Sequence, residues 1–282
     1  MDSSDYEIPA HRLPEGFRDT LGGEVGQPVE PRPAATVVIL RDGDRTGPEV
    51  LLLKRNRQTG FVPGAYVFPG GRVDRADGEP QVAQYWADLD PESARDRLGL
   101  PPEADPAGIA YFTAAVREVF EETGLLLSDR YPTQGGAGAR LEVGREALME
   151  RHGSFLSLLA ELEVQLAGAR IEYIAHWVTP EVEPRRYDTR FFAALVPRAA
   201  EVQIDEREMT AAEWLTPEVA LSRHEEGTLP MIFPTIRTLE DLVGFSSASQ
   251  LLADFRERPI SLIMPEIVRT EGGVALRIPK TP

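Results

Sequence analysis

Residues 35–40, Ala-Thr-Val-Val-Ile-Leu, form a largely apolar, β-branched run, and residues 50–53 form a second apolar run after the turn-like Asp42-Gly43-Asp44. Both runs predict strands, and the turn between them predicts a hairpin. Residues 65–68 predict a short third strand ended by a turn at Pro69-Gly70-Gly71, where two glycines let backbone approach a ligand closely. From Asp74 to about Asp105 the chain turns polar and proline-rich, with short helical patterns at 82–86 and 92–98, and reads as an inserted segment.

The strongest helical period comes next. Asp105-Pro106 supplies a cap and first residue and Gly124 a stop. At about 100° per residue, Ile109, Phe112, Val116 and Phe120 fall on one apolar stripe, while Glu118, Glu121 and Glu122 share the opposite face. Further on, residues 145–166 predict amphipathic helix, 171–178, 190–196 and 209–215 predict strands, and 217–224 a helix. Residues 239–243 and 248–256 add mixed structure before a last strand at 274–278.

Composition narrows the function. With 282 residues, 42% hydrophobic and 27% charged, the chain can bury a substantial core. One elaborated domain at 34–282 is expected, with insertions at about 75–105 and 141–168, behind an irregular lead-in at 1–33. Lys and Arg number 30 against 46 Asp and Glu, a net charge of −16 that repels nucleic acids and anionic membrane surfaces. A phosphate ligand would have to be met locally, by arginines or by divalent cations on carboxylates. The absence of cysteine excludes disulfides, zinc–thiolate sites and a cysteine nucleophile. No apolar run approaches a bilayer span, the N-terminus is acidic and polar, and Lys280-Thr-Pro282 carries no peroxisomal address, so a cytoplasmic location is expected.

Three carboxylates at the C-terminal end of one helix repel one another and oppose the helix dipole. A solvated face is the plain explanation; Mg²⁺ or Mn²⁺, which favour oxygen ligands, is the functional one. Arg185, Arg186 and Arg190 could meet a phosphate, with pairing to Asp188 as the competing reading. Other chemistry finds less support. The Gly244-Phe-Ser246-Ser-Ala248 stretch is better explained by Ser247 or Ser249 as a helix cap than by a nucleophile elbow. His11, His152, His176 and His224 lack paired metal spacing, residues 74–79 lack the calcium-loop pattern, and no P-loop lysine occurs.

Arg117-Glu118-Val119-Phe120-Glu121-Glu122-Thr123-Gly124-Leu125 resembles the second half of the Nudix box, and Phe68-Pro69-Gly70-Gly71 resembles its entry. The usual box sets its first Gly fourteen residues before the Arg. Here Gly71 to Arg117 is 46, so 46 − 14 = 32 residues are inserted, and counting back from Arg117 puts the box's first Glu at Ile109. An insertion inside the box is similar to the peroxisomal-type coenzyme A diphosphatase branch. So are residues 51–71, His176-Trp-Val-Thr-Pro180, residues 186–192 and residues 233–239. A related coenzyme A signature agrees at Leu51, Leu52, Arg55 and Gly64 and departs at Asn56 and Gly60.

The resemblance implies an α/β/α Nudix fold, a mixed sheet between helices enlarged by helical insertions. It implies Mg²⁺ or Mn²⁺ held by Glu118, Glu121, Glu122 and the Gly71 carbonyl, with Arg117 orienting the carboxylates. Glu118 or Glu208 would take the proton from water, a choice left open. Arg55, Arg186 and Arg190 would bind substrate. The implied reaction cleaves the diphosphate of coenzyme A or acyl-coenzyme A to adenosine 3′,5′-bisphosphate and 4′-phosphopantetheine. ADP-ribose, NADH and nucleotide sugars are alternative substrates, a non-catalytic nucleotide sensor is the alternative of another class, and a homodimer is the expected assembly.

Overall fold

The computed structural model describes residues 6–9, 28–43, 47–56, 63–129, 137–271 and 273–279. The two apolar runs form the expected hairpin: β2 (Arg32–Asp42) and β3 (Pro48–Arg55) are antiparallel, with Leu40 opposite Val50. Val37, Ile39, Leu51 and Leu53 enter one core, and Val38, Leu40, Val50 and Leu52 enter another on the opposite face. Each such buried aliphatic side chain stabilises the fold by about 2 kcal/mol. Burial on both faces is why the runs show no alternation.

The sheet continues outward from this pair. β7 (Tyr187–Leu195) lies parallel to β2, β6 (Ile171–Val178) antiparallel to β7, and β9 (Leu262–Ile263) parallel to β6. β4 (Tyr66–Val67) and β8 (Met209–Leu215) pair with β3, and β5 (Gly70–Arg72) pairs with β2. One face of this mixed sheet is covered by α1 (Pro91–Arg97), α2 (Gly108–Thr123), α3 (Ala137–Met149) and α4 (Phe155–Leu162). The other is covered by α5 (Pro217–Glu225), α6 (Phe233–Asp241) and α7 (Ala248–Glu257), the last capped by the Ser247 side chain. The result is an α/β/α sandwich. Among the described residues, no helix is long and apolar enough to cross a membrane.

Several elements depart from the sequence reading. Tyr6–Pro9 is a strand, β1, inside the lead-in expected to be irregular; with β11 (Gly273–Arg277) and β10 (Glu266–Thr270) it makes a three-stranded sheet. Its partner is β11, at the far end of the sequence, so no local pattern announces it. Gly70 and Gly71 belong to a strand rather than a turn, lying opposite Thr36 and Ala35. Helix α2 starts at Gly108, with Ala107 as N-cap, not at Asp105-Pro106. A Cβ on Gly108 would overlap the Arg95 backbone, so close packing on α1 sets where the helix enters. Its end is as expected, with Gly124 at φ 73° donating to the Phe120 carbonyl. The helix expected at 145–166 is two helices, separated by a turn in which His152 and Gly153 both donate to the Ala147 carbonyl.

Candidate active site

Helix α2 is buried nearly all round. Ile109, Phe112, Val116 and Phe120 line the core as the period requires. The opposite face is largely covered: the side chains of Glu118 and Glu121 are 15% and 22% exposed, and Glu122 is buried. Strand β5 lies against Glu122 and Glu118. Glu122 Oε2 accepts from the Gly70 N–H at 3.1 Å, and the Glu118 carboxylate lies so close to Gly71 that a Cβ there would collide with it. The twin glycines and the acid trio, separated by the insertion in sequence, are therefore neighbours in space.

Arg117 holds the arrangement together. Its Nη1 donates to Glu118 at 2.7 Å and to Glu121 at 3.3 Å, and its Nη2 donates to the Arg72 carbonyl at 2.9 Å. Its remaining N–H groups grip Asp77, Nε to Oδ1 and Nη2 to Oδ2, both at 2.8 Å. All donors of the guanidinium are used, so Arg117 positions carboxylates and has none left for a substrate phosphate. Burial alone would lower its pKa, but Asp77, Glu118 and Glu121 outweigh that and raise it.

Asp77 corrects the sequence reading. It lies six residues after Gly71, the spacing of the box's first acid, and its carboxylate is buried against Arg117. The insertion therefore follows this acid, and Ile109, which is buried in the core, does not occupy its place. Counting forward from the glycines instead of backward from Arg117 would have found it. Asp77 also accepts from the Asp74 N–H at 2.8 Å, which closes the 3₁₀ turn Arg75–Gly78 and fixes the start of the insertion.

The three carboxylates are an electrostatic misfit as they stand. Burial raises Glu118 to about 7 despite Arg117 beside it, with Glu121 adding to the rise. Burial likewise raises Glu121, and raises Glu122 well above its ordinary value with Glu118 and Glu208 contributing. The donor set, three carboxylates on one helix against the glycine strand, suits a hard divalent cation, and a cation would relieve the cost of burying them. Among the described residues no three acidic or histidine side chains already form a cation cage. Glu118 and Glu121 are turned onto Arg117, and Glu122 onto the Gly70 N–H.

The other expected site residues divide into two groups. Arg55, at the end of β3, opposes Glu122 electrostatically, and its buried Nε has no hydrogen-bond partner. Glu208 is exposed and close enough to raise Glu122. By contrast, Arg186 is spent on the Thr179 and Val29 carbonyls at 3.0 and 2.8 Å. Arg190 donates to the Tyr173 hydroxyl at 2.9 Å and contacts His176 Nδ1 at 3.1 Å, beneath the Tyr111 ring. His176 in turn meets Asp188 at 2.7 Å, so this arginine belongs to a buried network, and Arg185 is exposed. The three arginines do not form one phosphate site. Tyr66 and Phe68 are core residues, Tyr66 donating to Glu213, which also binds Arg223; Gly60 and Phe61 lie outside the described residues.

A buried helix whose last turns carry Arg-Glu and Glu-Glu against a glycine strand, within a mixed sheet clad by helices on both sides, places the chain among the Nudix hydrolases, enzymes that act on diphosphate bonds. A solved Nudix hydrolase from Alicyclobacillus acidocaldarius superimposes with a TM-score of 0.62 at 28% identity, covering 82% of this chain and 99% of that one. The family described as the NUDT19 Nudix domain matches residues 31–242, and the chain belongs to it. Two curated relatives are named acyl-coenzyme A diphosphatase NUDT19. The Xenopus laevis protein is 26% identical over 82% of this chain and 70% of its own length. The Homo sapiens protein is 29% identical over 78% and 67%.

Proposed function

We propose that this chain hydrolyses the diphosphate bridge of coenzyme A or an acyl-coenzyme A, releasing adenosine 3′,5′-bisphosphate and 4′-phosphopantetheine. The observation that carries the reading is the buried trio Glu118, Glu121 and Glu122 pressed against Gly70 and Gly71, in a chain whose relatives are named for acyl-coenzyme A. The trio and the Gly71 carbonyl would hold Mg²⁺ or Mn²⁺, the carboxylates giving up their present hydrogen bonds to do so. Bound there, the cation would neutralise diphosphate oxygens and acidify water.

The chain's own groups do the rest. Arg117, anchored by Asp77, sets the two carboxylates it touches. Arg55, with a free donor beside Glu122, would bind a substrate phosphate oxygen. Glu208, exposed and near Glu122, would accept the proton from water; Glu118 is the alternative acceptor. Arg186 is left out because its donors serve the Thr179 and Val29 carbonyls and the Met264 sulfur.

Incubation with coenzyme A, an acyl-coenzyme A, ADP-ribose and NADH in the presence of Mg²⁺ tests the reading. Release of 4′-phosphopantetheine is expected, and Glu121→Gln should reduce it by about 100-fold or more, since even groups that merely support metal ligands contribute up to about that factor. Cleavage of ADP-ribose without cleavage of either coenzyme A compound would overturn the substrate assignment.

A further inference from the structure

A cleft of about 320 Å³ opens beside Glu121, between the 3₁₀ turn Arg75–Gly78 and the hairpin of α3 and α4. Leu148, Phe155 and Leu156 give it an apolar wall, and Arg72 and Arg151 stand on its lining. The wall is tied to the acid-bearing helix. Arg145 of α3, itself buried, donates Nε to the Glu121 carbonyl at 2.9 Å, and Phe155 packs on Phe120 with ring centroids 6.4 Å apart. Gly144 lets Leu158 of α4 lie directly against α3, where a Cβ would overlap it.

The acid trio thus has two distinct flanks. Glu122 feels Arg55 and Glu208, whereas Glu121 feels Arg117, Asp77 and Asp74 and borders the cleft. A diphosphate centred on the trio would send one half of its molecule to each flank. The two halves of coenzyme A differ in chemistry: one carries a purine and further phosphate, the other is an uncharged amide chain that begins with a gem-dimethyl group.

The cleft suits the second. Its lining sets Arg72, Arg117 and Arg151 against Asp74, Asp77 and Glu121, leaving no surplus positive charge for another phosphate. Phe155 is only 6% exposed and offers no ring face for a base to stack on. The aliphatic wall suits the methyl groups of that chain. We propose, resting on the substrate assignment above, that the α3–α4 hairpin forms the subsite for the pantetheine arm and that Leu156 is the residue it packs on.

The test measures binding of each half separately, with 4′-phosphopantetheine and adenosine 3′,5′-bisphosphate as the probes. Leu156 is only partly buried, so Leu156→Trp should fold and fill the cleft, and Leu156→Ala, which cannot overpack it, serves as the second variant. Trp should weaken 4′-phosphopantetheine binding at least about tenfold and Ala about threefold, with adenosine 3′,5′-bisphosphate binding unchanged. KM for coenzyme A should rise while kcat holds. Equal effects on both probes, or none on 4′-phosphopantetheine, would overturn the subsite even if the wild type cleaves coenzyme A. A wild type that cleaves only other diphosphates would overturn the substrate assignment and the subsite together.

Discussion

Asp77 and Arg117, forty residues apart, form a bidentate ion pair whose two hydrogen bonds are both 2.8 Å, with side-chain exposures of 2% and 9%. The pair joins the glycine strand's exit to the acid-bearing helix across the whole insertion. Removing one partner of so buried a pair leaves the other uncompensated, at a cost of about 3 kcal/mol. Asp77→Asn should therefore lower stability by about that amount in urea unfolding, and it should also raise the Mg²⁺ concentration needed for half-maximal turnover, because Arg117 would no longer be held against Glu118 and Glu121. A variant that loses stability but keeps its Mg²⁺ requirement would show that Asp77 supports the fold only.

Gly71 tests the contact from the other side. A methyl group there would meet the Glu118 carboxylate, the movable end of a side chain rather than backbone. Gly71→Ala should fold with a melting temperature close to that of the wild type yet lose turnover by about 100-fold, as Glu118 is pushed from its place. At Gly70 the added atom would strike the Ala35 carbonyl and Thr36 Cα, so Gly70→Ala should instead destabilise the protein. Melting curves and turnover, measured on both variants, separate the two effects.

The acid trio also predicts how stability varies with pH. Burial holds Glu118 at about 7 in the folded, metal-free protein, against 4.5 when exposed, and moves Glu121 and Glu122 in the same direction. Between those values the folded state binds more protons than the unfolded chain, so the contribution is full below pH 4.5 and is lost as pH rises through 7. A bound cation would cancel that loss by stabilising the ionised carboxylates. In chelator, the melting temperature should fall by several degrees between pH 5 and pH 8, and Mg²⁺ should raise it more at pH 8 than at pH 5. An equal rise at both pH values would count against the trio as the cation's ligands.

The sequence exposes some of this architecture and hides the rest, for physical reasons. Val37 to Leu40 and Val50 to Leu53 declare a sheet buried on both faces because every position is apolar, and Gly124 marks the helix end because φ 73° suits glycine. The helical period correctly separates Phe120 from Glu118, but it carries no information about what covers the second face; only the pairing of Gly71 with Ala35 supplies that. Asp77 is hidden by the insertion, β1 by the length of chain between it and β11, and the fates of Arg186 and Arg190 by partners such as Val29 and Tyr173 that no spacing rule connects to them.

The long detour between Asp77 and Arg117 is anchored at both ends, by the carboxylate grip at its start and by the tight seat of Gly108 on α1 near its finish. Chain length in between is thereby uncoupled from catalytic alignment. What lies between the two anchors shapes the surroundings of the acids, while the anchors themselves hold the acids in register with the glycine strand.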